Sequence, residues 1–254
     1  MIKHSSSWFV RTNQSIIPKI RLFCLPYAGG NTSTYTSWSN HISMPIETIP
    51  IQYPGRSNRL LETPYSSMDS LVQALFDEIK LLLDIPYILL GHSLGSLVGF
   101  ELLRKINQFG LNMPEHFIAS GSRAPHLLSD KESIFKLPTN EFINELRNLN
   151  GTPEVILQSE ELMELCLPSL RADFEIAYTY KAEIEKKLDL PISILGGIKD
   201  DDISMKDLEA WQNHFVKTVD VKMFPGDHFF IESDKKLVLD HITGIFINII
   251  NKMV

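Results

Sequence analysis

An α/β fold with a mostly parallel central sheet is predicted from three observations. Short apolar runs recur along the chain, amphipathic helical patterns separate most of them, and one run breaks at Gly91-His92-Ser93-Leu94-Gly95 and restarts as a helix. The strand-like runs are Ile20 to Leu25, Ile46 to Ile51, Tyr87 to Leu90, His116 to Ser120, Ile192 to Leu195 and Val219 to Phe224. They are nearly continuous in apolar residues, as strands covered on both faces are. Between them, Met68 to Leu83 reads as a helix with Leu71, Leu75, Ile79 and Leu82 along one face. Lys235 to Asn251 reads as another, with Val238, Ile242, Ile245, Phe246 and Ile249 sharing a face. No internal repeat interrupts this pattern, so one domain over 1–254 is expected.

From about Ala124 to Leu190 the alternation stops. This stretch offers helical patterns at Thr139 to Leu149, Ser159 to Leu167 and Leu170 to Lys187 but no strand. Ligands in open α/β sheets bind beyond the carboxyl ends of the strands, and an insertion leaving the sheet there covers the mouth of the site as a helical lid. Phe142, Leu146, Met163, Leu167, Leu170 and Phe174 either line an acyl pocket or pack the lid helices on one another.

Composition narrows the function class. The 254 residues are 44% hydrophobic and 22% charged, with a formal net charge of −7, which argues against a nucleic-acid or anionic-membrane partner. Cys24 and Cys166 give neither a disulfide framework nor a metal-ligand spacing and read as packing residues in a reducing compartment. No run of about 18 apolar residues and no signal-peptide core is present, so a cytoplasmic protein is expected.

The break at Gly91 to Gly95 has the form of a nucleophile elbow. A serine at a sharp strand-to-helix turn adopts a strained backbone, and the glycines two positions to either side make room for it. The helix N-terminus places its positive dipole beside negative charge developing there. Ser93 needs a base, and the base needs a group that holds its tautomer. His228 is the candidate base, because Phe224-Pro225-Gly226-Asp227-His228 forms a turn between the last strand and the last helix. His92 reads as a packing residue, since adjacent side chains at a sharp turn point apart. The acid is expected after Ile192 to Leu195, in Gly197-Ile198-Lys199-Asp200-Asp201-Asp202. A strand-Gly-x-x-Asp arrangement favours Asp200, Asp201 is the alternative, and Asp202 reads as a helix cap. Serine, acid, histidine is the chain order of an α/β-hydrolase triad. The oxyanion donors are expected to be the backbone amides of Leu94 and of Ala28, the latter in the glycine-rich turn Leu25-Pro26-Tyr27-Ala28-Gly29-Gly30.

Several stretches together resemble the type II thioesterases that accompany nonribosomal peptide synthetases and polyketide synthases. They are Gly91 to Gly95, Leu22 to Gly30, Gln52-Tyr53-Pro54-Gly55-Arg56 with Arg59 and Glu62, Gly151-Thr152-Pro153, Leu167-Pro168-Ser169-Leu170-Arg171-Ala172-Asp173-Phe174 and Gly226 to Phe230. The chain departs from the family pattern at Leu94, where methionine is frequent, at Ser96, where alanine is frequent, and at Asp201, where proline often follows the acid. The resemblance implies an α/β-hydrolase fold, a Ser93, Asp200 and His228 triad, and Ala28 and Leu94 as oxyanion amides. It also implies hydrolysis of acyl thioesters on the phosphopantetheine arm of acyl or peptidyl carrier domains. No cofactor or metal of its own, no nucleic-acid or membrane partner and a monomeric state are expected. Arg56, Arg59 and Arg123 are candidate cations for meeting the carrier or the pantetheine phosphate, unless they pair internally with carboxylates such as Glu62. A general carboxylesterase or lipase, and a non-catalytic binding protein on the same scaffold, are the rival readings.

Overall fold

Six strands, β1 (Ile20–Leu25), β2 (Ile46–Pro50), β3 (Tyr87–His92), β4 (His116–Ser120), β5 (Ile192–Gly197) and β6 (Asp220–Phe224), form one sheet in the order β2-β1-β3-β4-β5-β6. Every neighbouring pair is parallel. The computed structural model describes residues 6–11, 17–42, 44–128 and 132–253. The helices in chain order are α1 (Ser33–Thr36), α2 (Met68–Ile79), α3 (Leu94–Gln108), α4 (Thr139–Asn148), α5 (Glu154–Leu157), α6 (Glu160–Thr179), α7 (Met205–Glu209), α8 (Phe230–Ser233) and α9 (Lys235–Lys252).

Two-sided burial is why the strands read as continuous apolar runs. In β1, Phe23 and Leu25 join one cluster with Leu71 and Leu75 of α2 and Val98 and Leu102 of α3. The alternate residues, Ile20, Leu22 and Cys24, join a second cluster with Val238, Ile242 and Phe246 of α9. The edge strand β6 is the exception: its first four residues are exposed or half-buried and only Phe224 is buried. The strand order reverses between β1 and β3, so the loops leaving their carboxyl ends diverge and open a crevice there.

The insertion between β4 and β5 is helical, as expected, but its helices differ from the sequence reading. The pattern predicts a break between Leu167 and Leu170, whereas α6 runs unbroken through Pro168. A proline inside a helix costs about 3 kcal/mol, because it removes one backbone donor and crowds the preceding turn. Burial of Met163, Leu170 and Ile176, each contributing about 1.5–3 kcal/mol, outweighs that cost. The helix also stops earlier than the predicted Lys187. Tyr180 is extended, with ψ of 131°, and its hydroxyl reaches Glu101 Oε1 on α3 at 2.5 Å, which turns the chain away. Phe142, Leu146, Met163 and Leu170 form a buried cluster of their own, with Leu167 and Phe174 packed at its edge. Packing of the inserted helices on one another is therefore the main work of these residues.

Three histidines are held neutral by the fold. Burial pushes His92 well below the ordinary histidine value, aided by His228 nearby. Burial likewise lowers His116 and His214 to about 4, helped by His241 and His126 respectively. Below about pH 6.5 the unfolded chain takes up protons at these positions that the folded chain refuses, so their contribution is complete above that pH and is lost as pH falls toward 4. Thermal melts across pH 4–8 are expected to show Tm level above about 7 and declining from about 6.5 downward. His214→Gln should flatten that decline, and an unchanged slope in this variant would contradict the assignment.

Candidate active site

Ser93 has φ of 52° and ψ of −118°, a left-handed backbone that a non-glycine residue adopts only under constraint. The constraint is steric and polar. A Cβ built on Gly91 would lie 2.1 Å from the carbonyl oxygen of Gly95, and one built on Gly95 would lie 2.2 Å from that of Leu25. Only glycine at both positions lets β3, α3 and the end of β1 come this close. The Ser93 N–H donates to the carbonyl of Ser120 on β4 at 2.7 Å. Ser96, where alanine is frequent, adds a tie: its hydroxyl lies 2.8 Å from the Gly91 carbonyl oxygen and accepts the Ser120 N–H at 3.0 Å. His92 is fully buried behind the elbow, with Nδ1 2.9 Å from the Ser120 hydroxyl, so it packs as predicted.

His228 and Asp200 meet through a second close approach. A Cβ on Gly197 would lie 2.3 Å from the carbonyl oxygen of Asp227, so a glycine there admits the turn after β6 against the end of β5. The amide of Lys199 donates to Gly226 O at 3.0 Å, completing the junction. His228 Nδ1 then lies 2.7 Å from Asp200 Oδ2, with the Asp200 side chain 2% exposed. Asp200 is thus the histidine's partner. Asp201 is exposed, and Asp202 donates its amide to Asp200 Oδ1 at 2.9 Å. The predicted helix cap is supplied instead by Ser204, in a reciprocal box with Asp207 at the start of α7.

Ser93, His228, Asp200, Ala28 and Leu94 all line one cavity of about 1120 Å³. Leu94 is the first residue of α3, so its N–H has no acceptor within the helix by geometry. The opposite wall comes from the insertion, including Ile134, Leu137, Leu146, Phe174 and Tyr178. Phe229 wedges between the walls. Its ring centroid is 5.1 Å from that of Tyr27 and 5.2 Å from that of His228, and a Cβ on Gly151 would lie 2.4 Å from its Cζ. This geometry fits acyl transfer: a half-buried serine at a helix N-terminus lining a cavity, an imidazole oriented by a carboxylate, and apolar side chains on part of the cavity wall.

The thioesterase domain model matches residues 20–246. The chain belongs to the thioesterase family. It is similar to the gramicidin S biosynthesis protein GrsT of Aneurinibacillus migulanus, at 42% identity over 92% of this chain and 91% of that protein. It is 37% identical, over 92% of this chain and 90% of the other, to a Brevibacillus parabrevis protein named linear gramicidin dehydrogenase LgrE. This sequence carries no G-x-G-x-x-G run of the kind that cradles a dinucleotide. Among solved structures, the type II thioesterase BorB from the borrelidin biosynthetic cluster superposes with a TM-score of 0.86 at 30% identity. That match covers 95% of this chain and 98% of BorB.

In this thioesterase the arginines of the sequence motifs are not the exposed cations expected. Arg56 and Arg59 are only 7% and 6% exposed. Arg56 makes a two-pronged pair with Asp173 of α6, at 2.6 and 2.8 Å, and Arg59 Nη2 lies 2.6 Å from Glu62. Burying a guanidinium without such partners is prohibitive, so the motif residues neutralise each other inside the fold. Arg123 is half-buried at the cavity wall and donates to the carbonyls of Leu128 and Asp202. Among the described residues no group of three or more histidines, cysteines or carboxylates forms a metal-binding cluster, and no helix is long and apolar enough to cross a membrane. His4 lies outside the described residues.

The elbow sterics make a sharp prediction for Gly95→Ala. Alanine gains about 1 kcal/mol of helix propensity over glycine. Forcing its methyl against the Leu25 backbone costs about 3 kcal/mol or more, since backbone cannot step aside as a side chain can. Chemical denaturation of the thioesterase is expected to show net destabilisation, and a neutral or stabilising result would contradict the close approach described.

Proposed function

We propose that this chain is a type II, editing thioesterase that hydrolyses acyl thioesters from the phosphopantetheine arm of carrier domains in nonribosomal peptide or polyketide synthesis. The observation that carries the reading is the His228 to Asp200 contact of 2.7 Å beside a strained serine on the same cavity. The likeness to BorB supports the type II assignment.

In this reading Ser93 Oγ attacks the thioester carbonyl while His228 Nε2 takes its proton. Asp200 accepts the Nδ1–H, which keeps Nε2 free to act as base and stabilises the imidazolium that forms. The amides of Ala28 and Leu94 donate to the oxyanion. The carbon–sulfur bond then breaks, and the departing thiolate leaves with the proton from His228. Water attacks the acyl-serine, His228 again takes and returns a proton, and the free acid and Ser93 are regenerated. A thiolate leaves readily, so positioning and oxyanion stabilisation carry most of the catalytic work, with one donor contributing about 3 kcal/mol. The insertion over 124–190 serves as the lid. The enzyme works in the cytoplasm as a monomer without a cofactor, its substrate being tethered to the carrier.

Hydrolysis of acyl-loaded carrier domains compared with matched oxygen esters tests the reading. Faster turnover of the carrier-bound thioester is expected, and preference for the oxygen ester would reject the editing role in favour of a general esterase. Ser93→Ala should abolish both fluorophosphonate labelling and turnover. Labelling that survives in this variant would remove Ser93 as nucleophile, and a wild-type chain that neither labels nor turns over substrate would indicate a binding protein. Asp200→Asn should lower kcat by about 10³ to 10⁴-fold, by analogy with other triads that lose the orienting acid. Asp201→Asn should stay within about twofold of wild type.

A further inference from the structure

We propose that Asp173, together with Arg56, is a positioning residue that aims the Ala28 amide at the reacting carbonyl oxygen. The inference rests on the thioesterase reading above, in which Ala28 is an oxyanion donor. Asp173 lies on α6, 117 residues from Arg56 in the chain, and is 2% exposed. Its carboxylate takes both prongs of the Arg56 guanidinium, and Oδ2 also accepts the Gly29 N–H at 2.7 Å. Arg56 Nη1 in turn donates to the Gly30 carbonyl at 3.2 Å. The turn after β1 is therefore gripped from outside at two of its peptide groups.

The Tyr27–Ala28 peptide, not itself bonded to the ion pair, holds the functional donor. The Ala28 N–H shares a planar trans peptide with the Tyr27 carbonyl, so the two point in opposite directions. The Tyr27 carbonyl accepts the Gly30 N–H at 2.8 Å, which closes the turn on itself and directs the Ala28 N–H away from it. Gly29 has φ of +74°, and a Cβ there would lie 2.5 Å from Leu170 Cδ2 of α6, so the helix is seated directly on the turn. Rotating the Ala28 peptide requires moving Gly29 and Gly30, and both are tied to the buried ion pair. α6 also contributes Phe174 and Tyr178 to the cavity wall, so one rigid helix fixes both the acyl wall and the oxyanion donor.

A displaced donor weakens stabilisation of the tetrahedral oxyanion while leaving ground-state binding nearly intact. The test compares wild type, Asp173→Asn and Arg56→Lys on a hexanoyl thioester of N-acetylcysteamine. The same proteins are titrated with the trifluoromethyl ketone of the same acyl chain, whose serine adduct carries the oxyanion. Asp173→Asn is expected to lower kcat by about tenfold to a hundredfold with KM little changed, and to weaken the ketone by the same factor as kcat/KM. Arg56→Lys keeps the carboxylate and its bond to Gly29 but loses the fork. It should give the same split at smaller size, and it carries the test if Asp173→Asn folds poorly. A purely structural role would lower Tm and leave kcat and ketone affinity unchanged, and that result in either folded variant overturns the proposal. A raised KM with unchanged kcat overturns it too. A wild-type protein that fails to hydrolyse the thioester overturns the thioesterase reading and this inference together, whereas an active wild type with unaffected variants overturns this inference alone.

Discussion

Everything at the site depends on how closely three backbone segments meet at Ser93. The end of β1, the end of β3 and the first turn of α3 approach to distances that no side chain beyond hydrogen tolerates at Gly91 or Gly95. This crowding holds Ser93 in a left-handed backbone conformation and turns its hydroxyl into the cavity. It also places the turn carrying Ala28 beside the N-terminus of α3, because the Leu25 carbonyl presses on Gly95. The bonds from Ser93 and Ser96 to Ser120 anchor the same elbow to β4. The strain is thus maintained by a rigid parallel sheet on both sides.

A second constraint is how charge is buried. Removing a carboxylate and a guanidinium from water costs several kcal/mol each, and the cost is recovered only where geometry and supporting hydrogen bonds are good. Arg56 and Asp173 meet that requirement with two direct contacts, and backbone groups of the glycine turn complete the set. For Arg56, burial opposes the charge and Asp173 more than offsets it, so the guanidinium is held charged. The pair joins three segments distant in sequence: the turn after β1, the loop after β2 and the long helix of the insertion. The insertion is accordingly fastened to the sheet at α6 by an ion pair and at Tyr180 by Glu101. Its other helices pack largely on one another.

Around the site, burial keeps His92 neutral while His228 sits half-buried against Asp200. The two rings lie 5.3 Å apart. The Asp200 carboxylate, 2.7 Å from Nδ1, is the group that holds the orientation of the His228 ring. Phe229 packs against Tyr27, His228 and Gly151, linking the imidazole to the insertion.

The sequence by itself determined the strands and the helix after the elbow, and it singled out Ser93 and His228 as the candidate nucleophile and base. These depend on local patterns: apolar runs for two-sided strands, glycines around a turn, a histidine after the last strand. It narrowed the partner of His228 to adjacent aspartates, and tertiary structure put Asp200 in contact with the ring, because that contact depends on Gly197 admitting the Asp227 backbone from another strand's loop. The motif arginines were visible as residues, but their role was not. Exposure and partner are properties of the folded surface, and Asp173 reaches Arg56 only once α6 is laid across the turn. Pro168 likewise reads locally as a helix breaker, and only the tertiary burial of the residues around it keeps α6 whole. Local chemistry is written along the chain, whereas pairings between distant segments arise from packing, which no single stretch of sequence encodes.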